Sequence, residues 1–373
     1  QFKTNLFTMT NDELQSKTIA FLRFPLIVGV VLIHSHITDG VVMNGVNVFS
    51  PVDFPAYRAV SNLLSDVYAR VAVPLFFFIS GFLFFYKSAF SASVYKDKLR
   101  KRARTVLVPY LFWNLVVAGL FFLAQTLMPS LTSGANKPIM DYSALDWLKA
   151  FWAKDSLDPD KIGMPIDYPL WFIRDLMMVM LFSPIVYGWV RCLRQYGMIV
   201  LGFLWVMGWW IDVPGFSLTA FFFFSLGAFF SVHRRNFVVD MRLLLIPSVG
   251  LYAILAVCDL YFMGEPWCRY LHNVGIIVGC VCFTSLTAAC LERGFCRVSG
   301  FLAGSNFFVY AYHGMPLALA IKVVVRYLPP GSELEVIGLY LGSACEVIGI
   351  GLALYGGMRR CVPSFLSLIT GGR

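Results

Sequence analysis

The chain has 373 residues, of which 58% are hydrophobic and only 14% are charged. About a quarter of the residues in soluble domains are charged, so this composition excludes a soluble protein and predicts an all-α polytopic membrane protein. The formal net charge is +9. The basic residues lie in short loops between apolar segments, which excludes nucleic-acid binding and instead indicates membrane topology.

The apolar segments predict about ten transmembrane helices, each near the ~20 residues that a bilayer requires. In chain order they lie at about 18–38, 63–86, 106–128, 169–190, 196–211, 217–232, 243–263, 270–290, 300–326 and 334–356. The loops after the even-numbered helices are basic and the others are acidic or mixed, which predicts that both termini are cytoplasmic. We expect one membrane-embedded domain over residues 1–373, with an extracytoplasmic insertion at 129–168 between the third and fourth helices.

The first predicted helix carries two ionisable residues inside an apolar run, Arg23 and His34. Eleven residues of α-helix turn ~1100°, within ~20° of three full turns, so both side chains lie on one face about 16.5 Å apart along the axis. Ionisable groups within a bilayer are costly and indicate function. The alternative is a histidine bonded to a neighbouring helix and an arginine that extends to the membrane surface. His36 lies on another face, so His34 is the better candidate.

The predicted topology divides the polar residues of the helices into two layers. The inner layer contains Arg23 and the Ser80-Gly81 pair, near the basic segment 96–104. The outer layer contains His34, Trp171, Arg174, Asp175, Asp259 and His313. This division fits a donor that enters from the cytoplasm and an acceptor that waits outside.

Each further motif has two interpretations. Ser80-Gly81 follows an aromatic run and could bring the backbone close to a ligand or only to another helix. The basic run 100–104 is suited to a phosphate clamp, and equally to a topology anchor that contacts anionic lipid. Trp171 beside Arg174 could stack on a sugar ring or belong to the aromatic belt. Tyr310 and His313 share a helix face. They could belong to a functional site or be hydrogen-bonded core residues.

Nine cysteines are present, and none forms a CxxC pair. Cysteines in apolar helices usually behave as small buried hydrophobes. We therefore expect no metal site and no essential disulfide.

Taken together, these motifs resemble the bacterial acyltransferase 3 family of membrane O-acyltransferases, which modify O-antigen, enterobacterial common antigen and related glycans. The matching elements are Arg23-x10-His34, Phe76–Gly81, the basic run before Pro109-Tyr110, Pro169–Phe172, Phe221–Gly227 and Tyr310-x-x-His313. The basic run departs from a clean Arg-x-x-Arg, which leaves open which arginine acts.

The resemblance implies transfer of an acyl group, most simply acetyl, from cytoplasmic acetyl-CoA as co-substrate to a hydroxyl of a cell-surface glycan or lipid-linked sugar. It implies a multi-pass protein of the bacterial inner membrane, in contact with membrane lipids and without a permanently bound cofactor. The implied roles are coenzyme A binding by Arg23, Arg102 and Arg104, a thioester channel at Ser80 and Gly81, a general base at His34, an acceptor side at Trp171, Arg174, Tyr310 and His313, and an orienting carboxylate at Asp175.

Several alternatives stay open at this point. His313 could replace His34 as the base, and His34 could carry the acyl group transiently. Succinyl or another acyl group could be transferred by the same residues. A transporter or flippase of a glycan precursor would also have ten helices and intramembrane charges, but it would give the Arg23–His34 spacing no meaning. A purely structural partner in a glycan machine would make all these polar residues dispensable.

Overall fold

The computed structural model describes residues 9–155 and 161–372, and these residues are mainly helical. The first half contains α1 (Asn11–Ser35), α2 (Pro55–Ser61), α3 (Ala72–Phe85), α4 (Ala92–Arg102), α5 (Val108–Leu127), α6 (Ala144–Trp152), α7 (Trp171–Leu181) and α8 (Ser183–Met207). The second half contains α9 (Leu218–Val232), α10 (Phe237–Arg242), α11 (Leu245–Tyr261), α12 (Cys268–Glu292), α13 (Gly300–Tyr312), α14 (Gly314–Tyr327), α15 (Glu333–Cys361) and α16 (Pro363–Thr370). The all-α polytopic architecture is thereby confirmed.

The predicted number of ten spans is not confirmed. Within the described residues, six helical stretches are long and apolar enough to cross a membrane. A seventh would be the α13–α14 pair, which bends by 65°. Helices α9 and α11 are apolar but shorter than a membrane span. Helix α7 has only 11 residues and is capped at its C-terminal end by Phe182. Hydropathy detects how long an apolar segment is, but in the structure several apolar segments are divided into shorter helices.

Helix α1 lies at the centre of the bundle and packs against α3, α12, α13 and α15. It begins seven residues before the predicted start, because the Thr10 side chain caps it by accepting a hydrogen bond from the Glu13 amide at 3.2 Å. Its apolar residues Leu22, Leu26 and Val31 are buried. Arg23 and His34 therefore belong to one continuous helix in the middle of the protein.

Helices α3 and α9 are in backbone contact. A Cβ atom added to Gly81 would lie 2.0 Å from the Phe224 carbonyl oxygen, and one added to Gly227 would lie 1.9 Å from the Phe78 carbonyl oxygen. Only glycine fits at such an approach, as in other tightly packed membrane helices. This contact fixes α3 rigidly against α9.

The insertion 129–168 contains a short helix, α6. Ser143 and Asp146 form a reciprocal capping box at its start. Outside the membrane spans, Lys137 and the Ser143 hydroxyl and amide hold the pKa of Asp146 well below its usual range. The loop after α1 contains a small hairpin of β1 (Val41–Met43) and β2 (Val46–Phe49).

Candidate active site

Two cavities follow one another along one face of α1. The outer cavity, named after the predicted topology, has a volume of about 600 Å³. His34, Asp66, Arg70, Trp171 and His272 are among its lining residues. Ligand sites of small molecules commonly have 300–1,000 Å³, so this volume suffices for a sugar unit.

The inner cavity has a volume of about 320 Å³ and is lined by the polar residues Arg23, Ser80, Arg102, Asn306 and Tyr310 together with apolar side chains. Both arginines are half-buried. Within the described residues neither forms an ion pair. Two desolvated cations without a carboxylate partner favour an anionic ligand, because the charge is otherwise uncompensated.

The two cavities meet at a neck. Val30, Val73, Phe172 and Tyr310 line both of them. The neck is apolar except for the Tyr310 hydroxyl, which donates a hydrogen bond to the Pro169 carbonyl. A group held at the neck would thus contact both cavities at once.

His34 and His313 come together on the outer side of the neck. Their ring centroids are 5.3 Å apart, and the His34 ring also lies edge-on to Tyr168 at 4.9 Å. His34 lines the outer cavity, whereas His313 is 0% exposed behind it. The geometry makes His34 the member of the pair that a ligand would contact.

The hydrogen bonding of His313 sets its tautomer. Its Nδ1 atom lies 2.5 Å from the Tyr310 carbonyl oxygen. A carbonyl only accepts, so Nδ1 carries the proton and the neutral ring presents Nε2 as an acceptor. Nε2 has no hydrogen-bond partner among the described residues. It is therefore available to orient the neighbouring His34 ring.

Arg174 and Asp175 were predicted at the acceptor side, but they line neither cavity. Arg174 Nε donates to Asp175 Oδ1 at 2.9 Å, and Arg174 Nη1 donates to the carbonyl oxygens of Trp152 and Gly163, each at 2.6 Å. Both side chains are at most 5% exposed. They form a buried clamp that holds the insertion against α7.

Asp167, near the C-terminal end of the insertion, is also buried. Its backbone amide donates to Asn114 Oδ1 at 3.1 Å, while its Oδ2 atom has no partner among the described residues. Burial raises the pKa of this carboxyl well above its ordinary value. A protonated Asp167 avoids placing an uncompensated charge beside the clamp.

Two further predicted residues lie away from the cavities. Gly81 contacts α9, as described above, and only its neighbour Ser80 lines the inner cavity. Arg104 is exposed and lines neither cavity, in contrast to Arg102. The helix is wound more widely at Ala103–Leu107, where the Val108 amide bonds to the Ala103 carbonyl five residues earlier. Arg102 and Arg104 are two residues apart and therefore point to different faces of the helix.

A comparison with known protein families identifies the family of this chain. The acyltransferase 3 family model, described as an acyltransferase domain, matches residues 17–356. The chain belongs to this family. As a family member it is a multi-pass membrane acyltransferase. It is also 25% identical over 324 residues to the succinoglycan biosynthesis protein ExoH of Rhizobium meliloti (strain 1021), covering 83% of this chain and 81% of that protein. No solved structure gives a significant match.

Besides Asp259, which was predicted in the outer layer, the outer cavity of this acyltransferase contains titratable residues that the sequence analysis did not identify. Asp66 Oδ1 accepts from Arg70 at 2.8 Å, and Asp66 Oδ2 lies 3.2 Å from His36 Nδ1. His272 Nδ1 lies 2.6 Å from Asp259 Oδ2. A sequence signal existed for the second pair, because Asp259 and His272 flank the same short turn. In the described part of the chain no cluster of three metal-ligating side chains occurs.

Proposed function

We propose that the protein transfers an acetyl group from cytoplasmic acetyl-CoA to a hydroxyl of a cell-envelope glycan or glycolipid on the outer side of the bacterial inner membrane. The observation that carries this proposal is the pair of cavities that meet at one apolar neck. One cavity presents arginines that have no carboxylate partner in the described part of the chain, and the other presents a histidine. A donor and an acceptor that approach from opposite sides would meet at this neck.

The donor occupies the inner cavity in this proposal. Arg23 and Arg102 bind anionic or carbonyl oxygens of coenzyme A, which carries phosphates at one end and amides along its pantetheine arm. Half-buried guanidinium groups are suited to such oxygens, since charge-assisted hydrogen bonds are the strong ones. Ser80 lies along the path of the thioester. The apolar neck then receives the acetyl group.

His34 acts as the general base. A ring nitrogen of His34 takes the proton of the acceptor hydroxyl while that oxygen attacks the thioester carbonyl. The new C–O bond forms, the C–S bond breaks, and the coenzyme A thiolate leaves and recovers the proton from the imidazolium. His313 supports this step as a buried acceptor that orients His34. This assignment is favoured over His313 as the base because His313 does not line the cavity.

The neck favours a small uncharged acyl group. None of its four residues, Val30, Val73, Phe172 and Tyr310, could neutralise a carboxylate. Burying an unpaired carboxylate is costly, so acetyl fits this position better than succinyl does. The glycan acceptor is supported by the relative that is named for succinoglycan biosynthesis.

The test uses purified protein in detergent, radiolabelled acetyl-CoA, and envelope glycan extracted from cells that lack the protein. His34→Ala is compared with wild type and with His233→Ala, a histidine that lines neither cavity. We expect label in the glycan with wild type and with His233→Ala. His34→Ala should transfer about 10²- to 10⁴-fold more slowly, the usual contribution of a general base.

Three outcomes would contradict the proposal. Equal transfer by wild type and His34→Ala would overturn the base assignment. Transfer from succinyl-CoA but not from acetyl-CoA would overturn the acyl assignment. A wild-type protein that turns over neither donor, yet moves glycan across a vesicle membrane, would be a flippase.

A further inference from the structure

The outer cavity extends from His34 to a second polar group at the turn between α11 and α12. Asp259 lies near the end of α11, and Cys268 and His272 lie in the first turns of α12. All three residues line the cavity. We call them the distal site. The acyl-transfer step proposed above uses none of them.

The contacts within the distal site fix the orientation of the His272 ring. The Nδ1 atom of His272 donates to Asp259 Oδ2 at 2.6 Å, and the Sγ atom of Cys268 donates to Asp259 Oδ1 at 3.3 Å. Both carboxylate oxygens are thereby engaged. A proton held on Nδ1 leaves Nε2 as the hydrogen-bonding atom that remains. Within the described residues, Nε2 of His272 has no partner.

The surroundings of the distal site are suited to a sugar ring. Two tryptophans, Trp171 and Trp205, line the same cavity as His272. Sugars present apolar C–H faces as well as hydroxyls, and binding sites combine aromatic surface with a few fixed polar groups. Trp205 is held in place because its indole donates to the Thr219 hydroxyl at 3.0 Å.

The charged residues of the outer cavity have both signs. Asp66 is paired with Arg70, while Asp259, Glu265 and Arg269 lie at or beside the distal site. In this respect the outer cavity differs from the inner cavity, where the charged residues are two arginines without a carboxylate partner among the described residues. A cavity that contains carboxylates as well as cations favours a neutral polyhydroxyl ligand over a phosphate, because its carboxylates repel an added anion.

We propose that the distal site binds a sugar unit of the acceptor, with Nε2 of His272 accepting a hydrogen bond from one of its hydroxyls. Asp259 is the positioning residue that holds the ring, and Cys268 holds Asp259. This inference rests on the proposed function, since it takes the acceptor to be a glycan. The distal site would hold one part of the acceptor while the reacting hydroxyl lies at His34.

The test separates binding from chemistry. Binding of fluorescently labelled envelope glycan, extracted from cells that lack the protein, is measured without acetyl-CoA for wild type, His272→Ala, His272→Gln and Asp259→Asn. His233→Ala is the matched control. Acetyl transfer and acceptor-independent hydrolysis of acetyl-CoA are measured on the same preparations. Melting temperatures of all variants identify those that are misfolded.

We expect His272→Ala to weaken glycan binding, and to raise the KM for glycan, by about tenfold, the loss typical of one buried hydrogen bond. His272→Gln should recover part of that loss because its amide can also bond to a hydroxyl. Asp259→Asn should lie between wild type and His272→Ala. Hydrolysis of acetyl-CoA and the KM for acetyl-CoA should stay unchanged in all of them.

Unchanged glycan binding in a folded His272→Ala variant would overturn the inference. A lost hydrolysis reaction with an unchanged KM for glycan would also overturn it, because His272 would then act in the chemistry. Failure of the proposed function gives a different pattern: wild type would neither hydrolyse nor transfer acetyl. The glycan-binding comparison would still decide for or against the distal site in that case.

Discussion

The inner and outer cavities differ in how their charges are balanced. The inner cavity contains Arg23 and Arg102 without carboxylate partners among the described residues, whereas the outer cavity contains charges of both signs, among them the Asp66–Arg70 ion pair. An uncompensated cation inside a membrane protein is expensive unless a ligand supplies the anion. A paired group can instead hydrogen-bond to a neutral ligand without a change in net charge.

The difference fits the topology that the loop charges predict. The cavity whose arginines favour an anion lies on the side predicted to be cytoplasmic, where acyl-CoA is found. The cavity with charges of both signs lies on the other side. Three sets of substitutions beyond those proposed above would break or sharpen this contrast.

The largest effect is expected from the clamp that Arg174 forms with Asp175 and the insertion. Arg174→Met would leave Asp175 as a buried, unpaired carboxylate, and breaking such a pair typically costs 3–5 kcal/mol. We expect a marked fall in the melting temperature in detergent. Arg174→Met combined with Asp175→Leu should recover much of the loss, since an apolar pair replaces an ionic one. If the single variant melts like wild type, the pair contributes no stability.

The next effect concerns the charge of the inner cavity. Arg23→Ala and Arg102→Ala should each raise the KM for acetyl-CoA by about 10- to 100-fold, the loss of one charge-assisted hydrogen bond. The KM for glycan should not change. Arg104→Ala is the comparison, because Arg104 is exposed outside the cavity and should have a small effect. A larger effect for Arg104 than for Arg102 would place the donor elsewhere.

The smallest effect is expected at the neck. Val73→Ala removes two methyl groups from a surface shared by both cavities and should admit a longer acyl chain. Specificity for one methylene is usually worth about tenfold or more, so the use of butyryl-CoA relative to acetyl-CoA should rise about tenfold. Val28→Ala, on α1 but in neither cavity, is the control. An unchanged ratio would show that the neck does not select the acyl group.

The sequence was sufficient to predict the class of protein and the proximity of His34 and His313. Composition alone predicted the polytopic helical architecture. The placement of His34 and His313 at one depth followed from counting residues along two helices that run in the same direction, and their rings are 5.3 Å apart in the structure. The depth of a residue in the membrane can be counted from the sequence because each helix rises by a constant ~1.5 Å per residue.

Other features depend on contacts that no single segment specifies. The break between Tyr312 and Gly314 bends the chain by 65° inside an apolar run, so hydropathy predicted one straight span there. Ser80 and Gly81 are adjacent, and only the position of α9 determines that one lines a cavity and the other packs. Arg102 and Arg104 lie on different helix faces, and only the packing of the bundle determines that Arg102 is the one that lines a cavity.

The clamp formed by Arg174 has a consequence for building chimeras. Because its guanidinium binds carbonyl oxygens at both Trp152 and Gly163, the insertion and α7 form one unit in structural terms. Exchanging the insertion between relatives without α7 would leave those carbonyls and Asp175 without their partner. A segment exchanged between relatives should therefore extend to the end of α7 rather than stop at the end of the insertion.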